Sequence, residues 1–537
     1  MIEFDHRGVR NYSRTFGRIG VQYMFTFGFS YVGVIYLLML FIPNIIWAKN
    51  KPKGYDASDE NKTLGFFERV GEALCTCCVL IFSDFNLHTT KWIIWLLISF
   101  LLMVIYEIYW IRYFKSDKTL EDFYKPMMGI PVPGASLPVM AFLILGIYGT
   151  NIFMIISSLI LGIGHIGIHK GHCKKLNLPK SKRGFRIVKG VVFVALSMIL
   201  MVISFFIGAR NINYFNHYSL IQNGVDEGIY VEIGGQEQYL LIRGADKSNP
   251  VIVFLHGGPL SPESYVNYSW VNDLVDAYTV IDWDQRGCGR TYMNNCDVDS
   301  NNDSATYEQA LLDLDELVDY ACDRFDKKQV IIIGHSYGTV LASNYIEKHP
   351  DKVSSYIAIA QVVAMDINNR YLADQAISNA ESTGENYSAL SKALEDYNAD
   401  PCVATTMALR QEAFTYLEET LPEKSTWLAL TSPYMGMADF EWFLKQLEPL
   451  DKYIELNRQL YDSLLDFNLY DVNVSENVPI TYISGSLDYA CPVQTIEDYI
   501  DKSGVNRTLY IIDGCGHNVQ YTKPHDVSYI IKDALSK

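Results

Sequence analysis

The stretch QVIIIGHSYG, residues 329–338, decides the fold of the C-terminal part of the chain. It joins a short run of β-branched apolar residues to a glycine-rich turn, and the following TVLASNYIEKHP has a helical pattern. This order of strand, sharp turn and helix is the context that a GxSxG nucleophile elbow requires. Gly334 and Gly338 keep side chains out of the crowded turn, so that the hydroxyl of Ser336 stands above the sheet. Ser336 is therefore the predicted nucleophile.

Further strands are predicted on both sides of this stretch, because short apolar runs recur that end in glycine or polar residues. They comprise a hairpin with a Gly-Gly turn at 228–244 and runs at 250–259, 278–287, 356–363, 479–488 and 508–517. Helical stretches such as 307–325 separate them, which indicates a mostly parallel sheet covered on both faces. The interval from about 364 to 478 lacks strand signals and is predicted to be an inserted helical cap.

A serine hydroxyl is a poor nucleophile unless a base takes its proton and a carboxylate orients that base. Asp488 and His517 each follow a predicted strand, so both would lie at the same sheet edge as the nucleophile. Asp488 is the predicted orienting carboxylate, with Asp513 as its nearest rival. His517 is the predicted base, and His335 and His525 are weaker alternatives.

A loop for the oxyanion is predicted at HGGP, residues 256–259. Its glycines allow backbone N–H groups to turn into the site, where each donor in comparable sites lowers the barrier by about 3–4 kcal/mol. The predicted donors are the amides of Gly258 and of Tyr337, which directly follows the nucleophile.

Together, HGGP, DQRGCGR (284–290), GHSYG (334–338), Asp488 and His517 resemble the proline iminopeptidase (prolyl aminopeptidase) branch of the α/β-hydrolases. These are serine peptidases that release N-terminal residues. The resemblance covers about residues 226–537. It implies that the residues matching the motifs form a Ser-His-Asp triad, and that acidic groups of the cap hold the free α-amino group of the substrate.

Two positions depart from the pattern of this family, which usually has glycine where Leu260 stands and commonly tryptophan where Tyr337 stands. The chemistry is unaffected, but the preference for proline is not implied. Glu412 and Glu441 are weak candidates for the amino-group site, since a solvated helix face is the better interpretation of any single cap carboxylate. The other carboxylates considered are Glu381, Glu385, Glu418 and Glu419.

Charge separates the two parts of the chain. Residues 1–210 contain 23 Lys and Arg against 12 Asp and Glu, whereas residues 211–537 contain 21 against 49. The C-terminal part is therefore strongly acidic and lacks the basic surface that nucleic-acid binding needs. Its negative charge favours cationic ligands. The ten cysteines are too dispersed for a disulfide scaffold.

Residues 1–210 are predicted to form a multi-span membrane domain, because several segments approach the roughly 20 apolar residues that cross a bilayer as a helix. Five spans are predicted. They are Tyr23–Trp47, Trp92–Ile111, two arms of a hairpin within Pro126–His169 that breaks at Gly149–Asn151, and Gly190–Ala209. A weaker stretch at 73–83 is predicted to be either a short span or an interfacial helix.

The orientation follows from Lys and Arg in short loops. Residues 170–189 carry eight of them and are predicted to be cytoplasmic, which places the acidic part outside the cell. The predicted domains are a membrane domain at 1–210, a connector at 211–226 and a hydrolase domain at 227–537.

Glu107, His165 and His169 are ionisable residues at or near membrane depth, where such residues are functional candidates. His165, His169 and His172 repeat along one helical face near the end of a span. A ligand or proton role is one interpretation, and interfacial anchoring or hydrogen bonding between helices is the other.

The sequence thus predicts a membrane-tethered serine hydrolase, most closely an aminopeptidase, whose partners are a short peptide or small acyl substrate and the lipid bilayer. Two alternatives stay open: an esterase or lipase-like hydrolase of acyl esters, and a membrane transporter or sensor whose hydrolase-like domain only binds a ligand. No metal, organic cofactor or nucleic acid is predicted, and the oligomeric state is left open.

Overall fold

The computed structural model describes residues 26–58, 60–88, 92–176, 199, 201–216, 224–447, 450–474, 477–503 and 507–536. These residues form two compact units. One unit holds the described residues from 26 to 216 together with 426–437, and the other holds those of 224–425 and 438–536.

The first unit is helical. Its helices are α1 (Tyr31–Ala48), α2 (Lys62–Ile81), α3 (Ile93–Phe114), α4 (Leu120–Tyr124), α5 (Pro133–Tyr148), α6 (Ile152–Lys175) and α7 (201–216). Helix α2 packs along α6, and α5 packs against both α3 and α6. Within this unit, Arg210 and Asn213 of α7 donate to the backbone carbonyls of Ser432 and Thr431, both at distances of 2.8–2.9 Å.

Three of these helices, α1, α3 and α6, are long and apolar enough to cross a membrane, as searched over the described residues. Helix α5 is equally apolar but has only 16 residues. The five predicted spans are therefore not confirmed. Half of the predicted span Gly190–Ala209, the basic loop beyond residue 176 and residues 1–25 lie outside the described residues.

The predicted hairpin between α5 and α6 breaks where the sequence indicates. Helix α5 ends at Tyr148, and Thr150 takes a positive φ of 48°. The side chain of Asn151 then caps α6 by accepting a hydrogen bond from the Met154 amide at 3.1 Å. Residues 73–81 of the weaker stretch belong to the second half of α2 rather than to a separate short helix.

The second unit is built on one eight-stranded sheet. Its strands are β1 (Val225–Ile233), β2 (Gln236–Gly244), β3 (Val251–Leu255), β4 (Thr279–Asp284), β5 (Val330–His335), β6 (Val353–Ile359), β7 (Ile480–Gly485) and β8 (Thr508–Ile512). They lie in the order β1-β2-β4-β3-β5-β6-β7-β8, with β1 and β2 antiparallel and β3 to β8 parallel. The predicted mostly parallel sheet is confirmed.

Helices complete this part of the chain. They are α8 (Tyr268–Val271), α9 (Gly289–Asn295), α10 (Tyr307–Phe325), α11 (Tyr337–Lys348), α12 (Met365–Thr383), α13 (Ser388–Ala399), α14 (Val403–Ala413), α15 (Ser425–Thr431), α16 (Met437–Gln446), α17 (Leu450–Leu456), α18 (Arg458–Asp466), α19 (Val493–Ser503), α20 (Val519–Thr522) and α21 (Pro524–Leu535). Along the chain, α12 to α18 lie between β6 and β7, which pair directly in the sheet, and they fall in the interval predicted to be the cap. Most of α15 belongs to the first unit. The sheet residues of β3, β4 and β5 are fully buried, which fixes the strand ends that carry the site.

Candidate active site

Ser336 occupies a strained turn between β5 and α11, with φ 51° and ψ −118°. The turn is possible because two residues that lie close to neighbouring backbone, Gly334 and Gly338, have no side chain. A Cβ atom on Gly338 would lie 2.1 Å from the carbonyl oxygen of Leu255, and one on Gly334 would lie 2.8 Å from that of Gly338. A non-glycine residue with positive φ at such a turn is held by its surroundings and exposes its side chain at the sheet edge.

The side chains of Ser336, His517 and Asp488 form one hydrogen-bonded chain. His517 Nε2 lies 2.9 Å from Ser336 Oγ, and its Nδ1 lies 2.9 Å from Asp488 Oδ2. Asp488 is fully buried, and its Oδ1 accepts the backbone amides of Ala490 and Cys491 at 2.9 and 2.8 Å. A carboxylate fixed in this way can orient an imidazole that takes the proton of the serine hydroxyl.

The rival residues lie elsewhere in the described structure. Asp513 accepts a hydrogen bond from Ser486 at 3.2 Å, and the exposed His525 pairs with Asp273 at 2.6 Å. Neither contact includes Ser336.

The HGGP loop lies directly against the nucleophile. A Cβ atom on Gly257 would lie 3.1 Å from Ser336 Cβ, and Gly258 takes the positive φ of 117° that suits glycine. Tyr337 is the first residue of α11, so its amide is one of the N–H groups that a helix leaves without an internal acceptor. Burial lowers the pKa of His256 to about 4, so this histidine is neutral and accepts the Gln285 amide at 3.2 Å.

A cavity of about 460 Å³ opens beside His517 and contains three glutamates from one cap segment. Its lining comprises Phe414, Leu417, Glu418, Glu419, Thr420, Glu423, Leu487, Tyr489, Ala490, Gly516 and His517. The segment is held by the Leu421 amide, which donates to the Gly514 carbonyl at 2.9 Å, and by Asn518, which donates to the Glu423 carboxylate at 2.9 and 3.0 Å.

The candidates Glu412 and Glu441 are not among the lining residues of this cavity. The sequence offers Glu418 and Glu419 as candidate cap carboxylates, but it does not single out Glu423. No local signal distinguishes Glu423, because its position depends on how the cap segment folds back over β8.

A family model described as alpha/beta hydrolase fold matches residues 250–524, just over half of the chain. The chain belongs to this family. The match starts immediately before β3 and includes the elbow, the cap, Asp488 and His517 of this hydrolase.

Curated relatives of the hydrolase confirm its resemblance to the proline iminopeptidase branch. Probable aminopeptidase YbaC of Bacillus subtilis is 29% identical over 287 residues, covering 51% of this chain and 84% of the relative. Proline iminopeptidase PfmaB of Pestalotiopsis fici is 24% identical over 309 residues, covering 57% and 99%. Among solved structures, a proline iminopeptidase-related protein from Thermus thermophilus aligns with a TM-score of 0.40 and 19% identity, covering 58% of this chain and 98% of that one.

A buried ion pair supports the elbow of the hydrolase from behind. His335 Nδ1 lies 2.8 Å from Glu263 Oε1, and its Nε2 lies 3.4 Å from the backbone carbonyl of His517. Both ring nitrogens thus face acceptors, as an imidazolium requires. Burial opposes the charge on His335, but the Glu263 carboxylate outweighs it and raises the pKa of His335. Burial alone would raise the pKa of Glu263, but the neighbouring His335 holds that pKa below its ordinary value.

We expect Glu263→Gln to lower the stability of the hydrolase by about 1.5–3 kcal/mol, the range for a hydrogen bond to a charged group. The pKa of His335 is higher in the folded protein than in the unfolded chain, where it is about 6.5. Its contribution to stability is therefore complete below about pH 6.5 and is lost as the pH rises through the folded-state pKa. The pKa of Glu263 is lower in the folded protein than in the unfolded chain, where it is about 4.3. Its contribution to stability is therefore complete above about pH 4.3 and is lost as the pH falls through the folded-state pKa. Thermal unfolding in detergent should therefore show the largest difference between about pH 4.3 and 6.5.

Asp273→Asn is the matched control for this pair. It removes the carboxylate from His525, whose side chain is 80% exposed, and exposed pairs contribute about 0–1 kcal/mol. A loss in Glu263→Gln that stays constant from pH 4 to pH 9 would show that the buried pair is not charged.

The DQRGCGR motif connects the sheet to the cap. Arg290 binds the carboxylate of Asp439 on α16 through Nε at 2.9 Å and Nη2 at 2.6 Å, and its guanidinium lies 4.3 Å above the Tyr239 ring. The Arg290 amide donates to Asp284 at 3.0 Å. Burial and the nearby Asp439 charge raise the pKa of Asp284 to about 7. The arginine thus sits between two carboxylates at the cap contact.

Proposed function

We propose that residues 225–536 form a serine hydrolase that acts by acyl transfer, and that its preferred reaction is the release of N-terminal residues from short peptides. The hydrogen-bonded chain from Ser336 through His517 to the buried Asp488 carries the proposal. The names of the relatives, Probable aminopeptidase and Proline iminopeptidase, support the peptide substrate.

In this mechanism Ser336 Oγ attacks the carbonyl carbon while its proton passes to His517 Nε2. The negative charge that develops on the carbonyl oxygen is stabilised by the amides of Gly258 and Tyr337. The C–N bond then breaks, and His517 returns the proton to the leaving amine. Water, activated by His517, finally hydrolyses the acyl-enzyme ester and regenerates the serine.

The three glutamates beside His517 supply a reason for the choice of substrate. In a peptide with a free N-terminus, the ammonium group is on the α-carbon directly next to the scissile carbonyl, and carboxylates favour that charge. Glu418, Glu419 and Glu423 line the cavity that contains His517, so an ammonium group there would be close to the triad.

The membrane anchor is part of the proposal. Helices α1, α3 and α6 have the length and composition of membrane spans, which supports a multi-pass protein of the cell membrane. The proposed position of the hydrolase domain outside the cell rests on the eight Lys and Arg residues at 170–189. The same helices favour one second candidate, an esterase that takes acyl esters from the bilayer.

Hydrolysis of aminoacyl arylamides, their N-blocked forms and short acyl esters by the purified full chain tests the proposal. Cleavage that requires a free amino group and is absent in Ser336→Ala would support the aminopeptidase. Preference for esters or blocked substrates would favour the second candidate, and absence of cleavage with no labelling of Ser336 by a fluorophosphonate would favour a binding domain.

We expect the triple variant Glu418→Gln, Glu419→Gln, Glu423→Gln to lose about tenfold in kcat/KM for free-amine substrates. The expectation assumes about 0.5 kcal/mol for each exposed carboxylate near the ammonium group. Hydrolysis of an N-blocked ester should be unchanged. Glu412→Gln and Glu441→Gln are matched controls outside the cavity lining, and a selective loss in either of them would move the amino-group site away from this cavity.

A further inference from the structure

Helices α2 and α6 pack along each other and place acidic and imidazole side chains against each other. His165, His169 and His172 are spaced four and three residues apart on α6, so they share one face of that helix. Glu68 lies on the facing helix α2, and Glu60 just precedes it. These residues have no part in the proposed hydrolase site.

The three side chains of Glu68, His165 and His169, here called the histidine cluster, converge on one point. His165 Nδ1 lies 2.5 Å from Glu68 Oε1, and the two imidazole rings lie 4.8 Å apart at an interplanar angle of 78°. One potential ligand atom from each residue lies within 4.8 Å of those of the other two. A tetrahedral ion with bonds of about 2.0–2.1 Å separates its ligand atoms by about 3.4 Å, so small side-chain rotations would close the site.

Glycine residues bring the two helices close enough for this convergence. A Cβ atom on Gly164 would lie 2.2 Å from the backbone nitrogen of Glu68, and one on Gly71 would lie 2.4 Å from Leu161 Cα. The backbones therefore touch, which is how small residues act in packed membrane helices. Because Gly164 directly precedes His165, the contact fixes this histidine beside the carboxylate.

Outer contacts hold the cluster in place. Tyr124 Oη lies 3.3 Å from His169 Nδ1 and orients that ring. One turn further along α6, His172 Nε2 lies 3.0 Å from Glu60. Metal-binding histidines are commonly held by such hydrogen bonds to their second nitrogen.

We propose that the histidine cluster binds one divalent transition-metal ion of the zinc class. Two imidazoles and one carboxylate are ligands that zinc accepts, and they leave a fourth position for water. Mg²⁺ and Ca²⁺ prefer sites made of oxygen atoms and fit this set poorly. A hydrogen-bonded His165–Glu68 pair alone would not need His169 in the same place. The pattern was visible in sequence only for the histidines, since Glu68 is 97 residues away from His165.

Titration of the full chain with Co²⁺ tests the proposal independently of any hydrolase activity. The protein is purified in detergent with an affinity tag other than histidine, treated with a chelator and titrated while the visible d–d absorption of Co²⁺ is recorded. We expect one equivalent to bind with the intense absorption of a four-coordinate site, and Zn²⁺ to displace it. His165→Asn, His169→Asn and Glu68→Gln should each weaken binding at least about tenfold.

His525→Asn is the matched control, because it removes an exposed histidine that also pairs with a carboxylate but, among the described residues, belongs to no group of three possible ligands. Its Co²⁺ affinity should equal that of the wild type. Glu68→Gln can retain a hydrogen bond to His165, and wild-type helical circular dichroism would show that it is folded. Absence of Co²⁺ binding by the wild type, or unchanged binding by folded Glu68→Gln and His169→Asn, would overturn the proposal in favour of a hydrogen-bonded cluster.

Discussion

Ser336→Ala is expected to lower kcat of the full chain by about 10⁵- to 10⁶-fold, the loss found when the nucleophile of a serine hydrolase is removed. The reason is geometric, since Ser336 Oγ is the atom that His517 Nε2 faces at 2.9 Å. His517→Ala should cost about as much, because a serine without its base is a poor nucleophile. The double variant should be no worse than either single one, because the residues act as a unit.

The measurement is steady-state hydrolysis of the best arylamide or ester in the panel, together with labelling by a fluorophosphonate. Ser382→Ala, on an exposed turn of α12, is the control and should leave both readings unchanged. If Ser336→Ala retained one hundredth of the activity, or if the two single losses multiplied in the double variant, Ser336 and His517 would not share one reaction.

The central strands of the sheet were predictable from sequence because they are buried on both faces. Runs such as VIIIGH of β5 contain few polar residues and end in glycine, so both their identity and their ends can be recognised. The turn between β1 and β2 was equally clear, since Gly234 and Gly235 both take the positive φ that a tight hairpin needs. The chain order of Ser336, Asp488 and His517 then followed from the strand ends.

Helix α2 was only partly predictable from the sequence. Hydropathy detects only its second half, because Lys62, Glu68, Arg69 and Glu72 interrupt the apolar pattern of the first. The structure instead joins both halves into a 20-residue helix along α6. Glu68 faces a histidine there, and such pairing across the chain leaves no trace in a local pattern.

The supporting contacts of the site were missed for the same reason. Glu263 follows the HGGP loop by only a few residues, but its partner His335 is 72 residues further along the chain. The pairing of Arg290 with Asp439 spans 149 residues and depends on the folded cap. That the apolar helices span a membrane, and on which side of it the hydrolase lies, both stay predictions.

Asp439→Ala is expected to destabilise the hydrolase unit by about 3–5 kcal/mol, because it leaves the Arg290 charge buried without this carboxylate. The Asp439 side chain is fully buried, and that of Arg290 is 14% exposed. Helix α16 also places Trp442 against Tyr292 of α9, at 5.3 Å between ring centroids. The loss should therefore loosen the cap, and kcat/KM should fall together with the midpoint of thermal unfolding.

A double-variant cycle distinguishes two roles of Arg290, its packing on Tyr239 and its ion pair with Asp439. If Asp439→Ala is destabilising because it leaves a buried charge unpaired, the double variant Arg290→Met, Asp439→Leu removes that charge as well. It should then lose less free energy of unfolding than Asp439→Ala alone. Glu455→Ala is the control, since its pair with Arg458 in the same cap is largely exposed and should contribute about 0–1 kcal/mol. A double variant as unstable as the sum of its single replacements would mean that the packing of Arg290 on Tyr239, and not its charge, holds the cap on the sheet.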